Sequence, residues 1–205
     1  MQSLIVYVHG KGGSAEEAAH YRPLFPGSQV VGFDYHAQTP WEAREEFPAF
    51  FRRQHQRCGR LILIANSIGA FFALSSLFGT LVDRAYFISP VVDMERLIRS
   101  MMQWAHVTEQ ELADRGEIPT DMGETLSWPY LCYVRAHPVT WRVPTRILYG
   151  EHDALTSLET VSDFAERHHA ALTVMPGGEH WFHTEAQMRF LDDWISSPWC
   201  LEDEG

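Results

Sequence analysis

Leu61-Ile62-Leu63-Ile64-Ala65-Asn66-Ser67-Ile68-Gly69-Ala70 decides the fold, because it joins two runs of opposite habit at one serine. The residues before Asn66 are apolar and mostly β-branched or leucine, which suits a buried strand. Those from Ile68 through Phe71-Phe72-Ala73-Leu74 suit a buried helix. A strand that turns sharply into a helix on a serine holds the hydroxyl at the tip of the turn, beside the helix N-terminus. That is the geometry of the G-x-S-x-G elbow. Strand and helix pack tightly there, so the positions two before and two after the serine must be small. Ala65 and Gly69 occupy them, the first departing from glycine but remaining small.

Three other segments extend this reading in both directions. Leu4-Ile5-Val6-Tyr7-Val8 reads as a buried strand running into His9-Gly10-Lys11-Gly12-Gly13-Ser14. A glycine-rich turn of this kind lets backbone N–H groups approach a ligand. Thr145-Arg146-Ile147-Leu148-Tyr149-Gly150 reads as a strand, and Glu151-His152-Asp153 offers an acid at its C-terminal end. Ala171-Leu172-Thr173-Val174-Met175 is a further strand, with Pro176-Gly177-Gly178-Glu179-His180 putting a histidine in the following loop. The chain order Ser, Asp, His is that of the triad found on α/β-hydrolase scaffolds.

With these four motifs in order over nearly its whole length, the chain resembles the α/β-hydrolases, and within them the small bacterial serine esterases and lipases. The resemblance implies an α/β fold with a mostly parallel sheet of about six strands flanked by helices. Strands are expected near 3–8, 29–34, 61–66, 84–88, 145–149 and 171–175, and helices near 14–20, 41–57, 68–78, 157–169 and 183–195. Ser157 and Thr184 are candidate helix N-caps or first-turn residues. The alternation of strand and helix breaks once, between Pro90 and Pro144. That stretch shows helical patterns near 93–105, 108–115 and 125–136 and no clear strand. In the resembled family an insertion at this point is commonly a cap, so 91–143 is expected to be a helical cap within a single domain, 1–205. The early antiparallel strands of larger relatives are expected to be missing.

The resemblance also assigns roles. Ser67 is the candidate nucleophile and His180 its base. Asp153 would hold the imidazole in the right tautomer. The backbone N–H groups of Ile68 and Lys11 are the candidate oxyanion donors, with Gly12 as substitute for the second. His183 is a rival base, set aside because it is expected inside the start of the last helix. Asp93 is a rival acid, since some relatives supply the acid from the strand ending at Ile88. His9 is expected to order the glycine-rich turn. Asp34 and Tyr35 follow the second strand on the side of the same site. Trp104, Trp128 and Trp181 are candidate substrate contacts, and Met101 and Tyr130 belong to the same apolar set in and near the insertion. The Lys11 side chain could meet an acidic substrate or simply solvent.

Composition narrows the remaining choices. The net charge of −11 argues against nucleic acid and anionic membrane as partners, since both demand basic patches. No apolar run reaches the roughly 18 residues needed to span a bilayer, and the N-terminal residues show no signal-peptide pattern. Cys58, Cys132 and Cys200 are widely spaced, fitting neither a disulfide framework nor a metal site, and suggest free thiols in a reducing cytoplasm. Adjacent His168 and His169 cannot share a helix face. No metal or cofactor is expected, and the glycine-rich turn lacks the Lys-Ser/Thr ending of a phosphate loop. Together these readings predict a serine hydrolase acting on a small or medium ester. Thioesterase, amidase or peptidase chemistry would use the same residues. A ligand-binding protein on the same scaffold is the alternative of another class, and the presence of all three triad residues argues against it.

Overall fold

A computed structural model describes residues 3–77, 81–121 and 123–198. The expected helix end at Phe78, Cys200 and the acidic tail Glu202-Asp203-Glu204 lie outside them. In chain order the elements are β1 (Ser3–Val8), α1 (Ala18–Tyr21), β2 (Gln29–Gly32), α2 (Pro40–His55), β3 (Arg60–Asn66), α3 (Ile68–Ser76) and β4 (Arg84–Ile88). Then come α4 (Met94–Trp104), α5 (Glu109–Arg115), β5 (Glu117–Pro119), β6 (Thr125–Ser127) and α6 (Trp128–Ala136). The chain closes with β7 (Thr145–Gly150), α7 (Leu158–Arg167), β8 (Ala171–Met175) and α8 (Glu185–Ser196).

Six strands form one parallel sheet in the order β2-β1-β3-β4-β7-β8. Side chains alternate across it, as the pleat requires. Leu4, Val6 and Val8 enter the core beneath α2 and α3, with Phe47, Phe51 and Phe72. Ile5 and Tyr7 point to the other face, where they meet Tyr21 of α1 and Leu191 and Trp194 of α8. Burial on both faces is why these strands read as continuous apolar runs rather than alternating ones.

From β1 the chain steps outward to β2, then crosses back to β3 on the other side of β1. Strand order therefore reverses between β1 and β3. The crevice beyond the carboxyl ends at such a switch point is where open α/β sheets bind ligands. The His9–Gly13 turn follows β1 and Ser67 follows β3, so both stand at that crevice.

The expected strands are all present, with β2 ending two residues early at Gly32. Thr39, Ser157 and Thr184 cap α2, α7 and α8 with their hydroxyl oxygens. The region expected near 14–20 as one helix is a single turn, α1, between two 3-10 turns. Between β4 and β7 the expected helices are found, but so is an antiparallel hairpin, β5–β6, in which Ile118 faces Leu126. The expectation of no strand in this stretch is corrected. Two three-residue strands, one ending on Pro119, are too short to show a period of two. Thr125–Ser127, expected as helix, pairs in β6, and Ser127 then caps α6. Among the described residues no helix is long and apolar enough to cross a membrane.

Candidate active site

Ser67 sits between β3 and α3 with φ 51° and ψ −121°, a conformation costly for a residue with a Cβ. It is held by its neighbours. The Ser67 N–H donates to the Ile88 carbonyl at 3.0 Å, and its own carbonyl accepts from Val91 and Ala70, each at 3.1 Å. The following turn presses on β1: a Cβ at Gly69 would stand 2.3 Å from the His9 carbonyl oxygen. Only glycine fits there, a stricter demand than the small residue expected from the sequence.

His180 Nε2 lies 2.9 Å from Ser67 Oγ, and its Nδ1 lies 2.7 Å from Asp153 Oδ2. A carboxylate can only accept, so the Nδ1 proton is donated to Asp153 and Nε2 is left to accept from the serine hydroxyl. The Asp153 side chain is fully buried. Its other oxygen accepts from the backbone N–H groups of Leu155 at 2.8 Å and Thr156 at 3.0 Å. Every oxygen of this buried carboxylate therefore has a partner, and its orientation is fixed by its own loop.

The loops after β7 and β8 are laced together. His152 N–H donates to the Gly178 carbonyl at 2.7 Å, and Gly177 N–H donates to Glu151 Oε2 at 2.8 Å. A Cβ at Gly150 would fall 2.4 Å from the Glu179 carbonyl oxygen, so the two backbones touch. This contact sets the spacing between the Asp153 and His180 loops.

The turn after β1 is equally constrained. The Tyr35 hydroxyl donates to the His9 carbonyl at 2.9 Å, and its ring stacks on the His9 imidazole with centroids 4.3 Å apart. Burial raises the Tyr35 hydroxyl pKa well above that of a free phenol, so it stays a donor. His9 Nδ1 lies 2.8 Å from the Gly10 carbonyl, which also accepts from Gly13 N–H at 3.2 Å. The peptide linking Gly10 and Lys11 is planar and trans. Pinning its carbonyl on one side turns the Lys11 N–H to the other. Neither that N–H nor that of Ile68 donates to another group among the described residues.

The rivals stand elsewhere. Asp93 caps α4, accepting from Arg96 N–H at 2.9 Å. His183 precedes α8 rather than lying inside it, because Thr184 is the cap. Its ring stacks on Trp181 at 4.6 Å and its Nδ1 lies 2.8 Å from the Trp181 carbonyl. The Lys11 ammonium is paired with Glu124 of the hairpin, and Asp34 is exposed.

A cavity of about 500 Å³ opens at Ser67. Its walls include Tyr35, Phe72, Met94, Ile98, Met101 and Tyr130, with Trp41 from α2. The three expected tryptophan contacts are not among them. Trp104 borders a separate, smaller cavity, Trp128 packs against the core, and Trp181 is 69% exposed. Trp41 was missed because it lies outside the insertion, although it follows β2 on the carboxyl side of the sheet. Met94, Ile98 and Met101 recur at helical spacing on α4, a signal present in the sequence.

No family model matches the chain, and no curated protein matches it by sequence. Solved structures do. Est1E from Butyrivibrio proteoclasticus superposes with a TM-score of 0.75 at 16% identity, over 95% of this chain and 86% of that one. Mouse alpha/beta hydrolase domain-containing protein 10 gives 0.72 at 16% identity, over 94% and 87%. An alpha-beta serine hydrolase homologue from Coxiella burnetii gives 0.60 at 14% identity, over 95% and 83%. Parallel strand order, the strained serine after β3 and these superpositions agree that the chain has the α/β-hydrolase fold.

Proposed function

We propose that the chain is a serine hydrolase that cleaves a small or medium carboxylic ester through an acyl-enzyme. The observation that carries this reading is the unbroken hydrogen-bonded line from Ser67 through His180 to Asp153, ending at a largely apolar cavity. Ser67 attacks the ester carbonyl while His180 Nε2 takes its proton. Asp153 stabilises the imidazolium that forms. The developing oxyanion is received by the N–H groups of Ile68 and Lys11, each such donor being worth about 10²–10³ in turnover. His180 then returns the proton to the leaving alcohol. Water activated by the same imidazole releases the acid. The segment 91–143 acts as a cap, supplying α4, the hairpin and α6 as walls of the acyl pocket. That Est1E has been solved with ferulic acid bound fits an acid product held on this scaffold.

A fluorophosphonate probe tests the reading directly. Intact-mass analysis and peptide mapping are expected to show one adduct, on Ser67. Adduct on Ser75, Ser76 or Ser89, or no adduct on folded protein, would overturn the assignment. Turnover of p-nitrophenyl esters, thioesters and aminoacyl amides then ranks the leaving groups.

A further inference from the structure

Two cavities meet at two leucines. The one at Ser67 occupies about 500 Å³, and a second, the rear chamber, of about 190 Å³, adjoins it and is open to solvent where Arg96, Trp104 and Ser157 are exposed. Leu97 of α4 and Leu155 of the Asp153 loop line both, and no other residue does. The helix explains how α4 can serve two chambers. At about 100° per residue, with Leu97 taken as zero, Met94, Ile98 and Met101 fall about 40–100° to one side. Asp93, Arg96, Ser100 and Trp104 fall about 20–100° to the other. The first group faces the Ser67 cavity and the second faces the rear chamber. Leu97 stands on the seam between the two stripes.

Both chambers combine apolar walls with polar groups. The front one has Tyr35, Phe72, Ile98 and Tyr130 among its walls, with Lys11, Glu117 and Glu124 at its polar side. The rear one carries the hydroxyls of Ser100, Thr156, Ser157 and Thr160 and the Arg96 guanidinium, and Trp104 borders it. Thr156 is buried and its Oγ1 has no hydrogen-bond partner among the described residues. Asp153 also borders this chamber, so Leu155 stands beside the acid whose orientation the reaction needs.

We propose that Leu97 and Leu155 are the specificity-determining partition of the site: they end the acyl pocket and thereby set the longest acyl group it accepts. The inference rests on the ester-hydrolase reading above. Removing either side chain joins the rear chamber to the pocket, and chains too long for the front chamber then extend past the seam toward Trp104. An apolar pocket wall discriminates by steric fit, with about 10–200-fold for each methylene that a rigid wall rejects.

The test compares p-nitrophenyl decanoate with p-nitrophenyl butyrate in the wild type, Leu97→Ala and Leu155→Ala. The readout is the ratio of the two kcat/KM values, in which any common loss cancels. The ratio is expected to rise about tenfold or more in each variant. Because the leucines come from different elements, either variant suffices if the other fails to fold. An unchanged or lowered ratio in a folded variant would overturn the partition. Rates of Ser67 phosphonylation by short and long n-alkyl fluorophosphonates separate this failure from that of the underlying reading. Wild-type protein that reacts with neither probe sinks the hydrolase assignment and the partition with it. Wild type that reacts with the short probe, with no gain for the long one in the variants, sinks the partition alone.

Discussion

Ser67→Ala and His180→Ala are each expected to lower kcat on a p-nitrophenyl ester by about 10⁴ or more, and the double variant to be little worse than either. The reason is that the two act in one step. With the hydroxyl gone there is nothing for Nε2 to deprotonate. Without the imidazole the hydroxyl is a poor nucleophile at neutral pH. Residual activity in all three variants should be similar, since the Lys11 and Ile68 N–H groups and the pocket remain. Steady-state kinetics on the three proteins checks this, with melting curves to show that they fold. Losses that multiply in the double variant would mean that Ser67 and His180, despite their 2.9 Å contact, do not share a step. His183→Ala should retain most activity, since that ring stacks on Trp181.

Asp153→Asn is expected to lower kcat by about 10²–10⁴ while leaving the fold intact. The hydrogen bonds show why a nearly isosteric change is so costly. If the amide NH₂ faces His180, Nδ1 must become an acceptor and the proton moves to Nε2, where it blocks acceptance from Ser67. If the amide is turned over, its NH₂ meets the N–H groups of Leu155 and Thr156, which need an acceptor. The first orientation keeps the hydrogen bonds but reverses the one to Ser67 and so removes the base; the second breaks the contacts to Leu155 and Thr156. Asp93→Asn should change activity less than about tenfold, because asparagine caps a helix as well as aspartate does. The paired measurement separates the two candidate acids. An inactive Asp93→Asn beside an active Asp153→Asn would move the acid to β4 and undo the placement of the insertion as a cap.

The sheet was legible in the sequence because its strands are buried on both faces and are bounded by Gly, Pro and polar turns. The line of Ser67, His180 and Asp153 was legible for a related reason. Ser67 follows β3 directly and Asp153 and His180 stand in the loops just after β7 and β8, and the carboxyl ends of parallel strands converge on one crevice. That the position of Gly69 must be small could be recognised because strand and helix must meet there; that only glycine fits came from the packing on His9. The pocket was not legible in the same way. Which aromatic faces the cavity depends on how α2, α4 and the hairpin pack on the sheet, and tryptophan content alone favours Trp104, Trp128 and Trp181 over Trp41. The hairpin itself was hidden by its shortness. His183 was set aside by an argument about helix position that the Thr184 cap overturns. What separates it from His180 is the direction of its ring.

The candidate base hangs from the margin of the sheet. β3, which carries Ser67, is paired on both sides, whereas β8 is paired only with β7 and most of its residues are partly exposed. Proteins open in patches, and the least buried patches open first. Loosening of β8 with its following loop would withdraw His180 from Ser67 while the phenylalanine-rich core under α2 and α3 stayed closed. Turnover is then a more sensitive thermometer of this molecule than its circular dichroism. Under mild heating or urea, catalysis would fade reversibly in a population that still looks native.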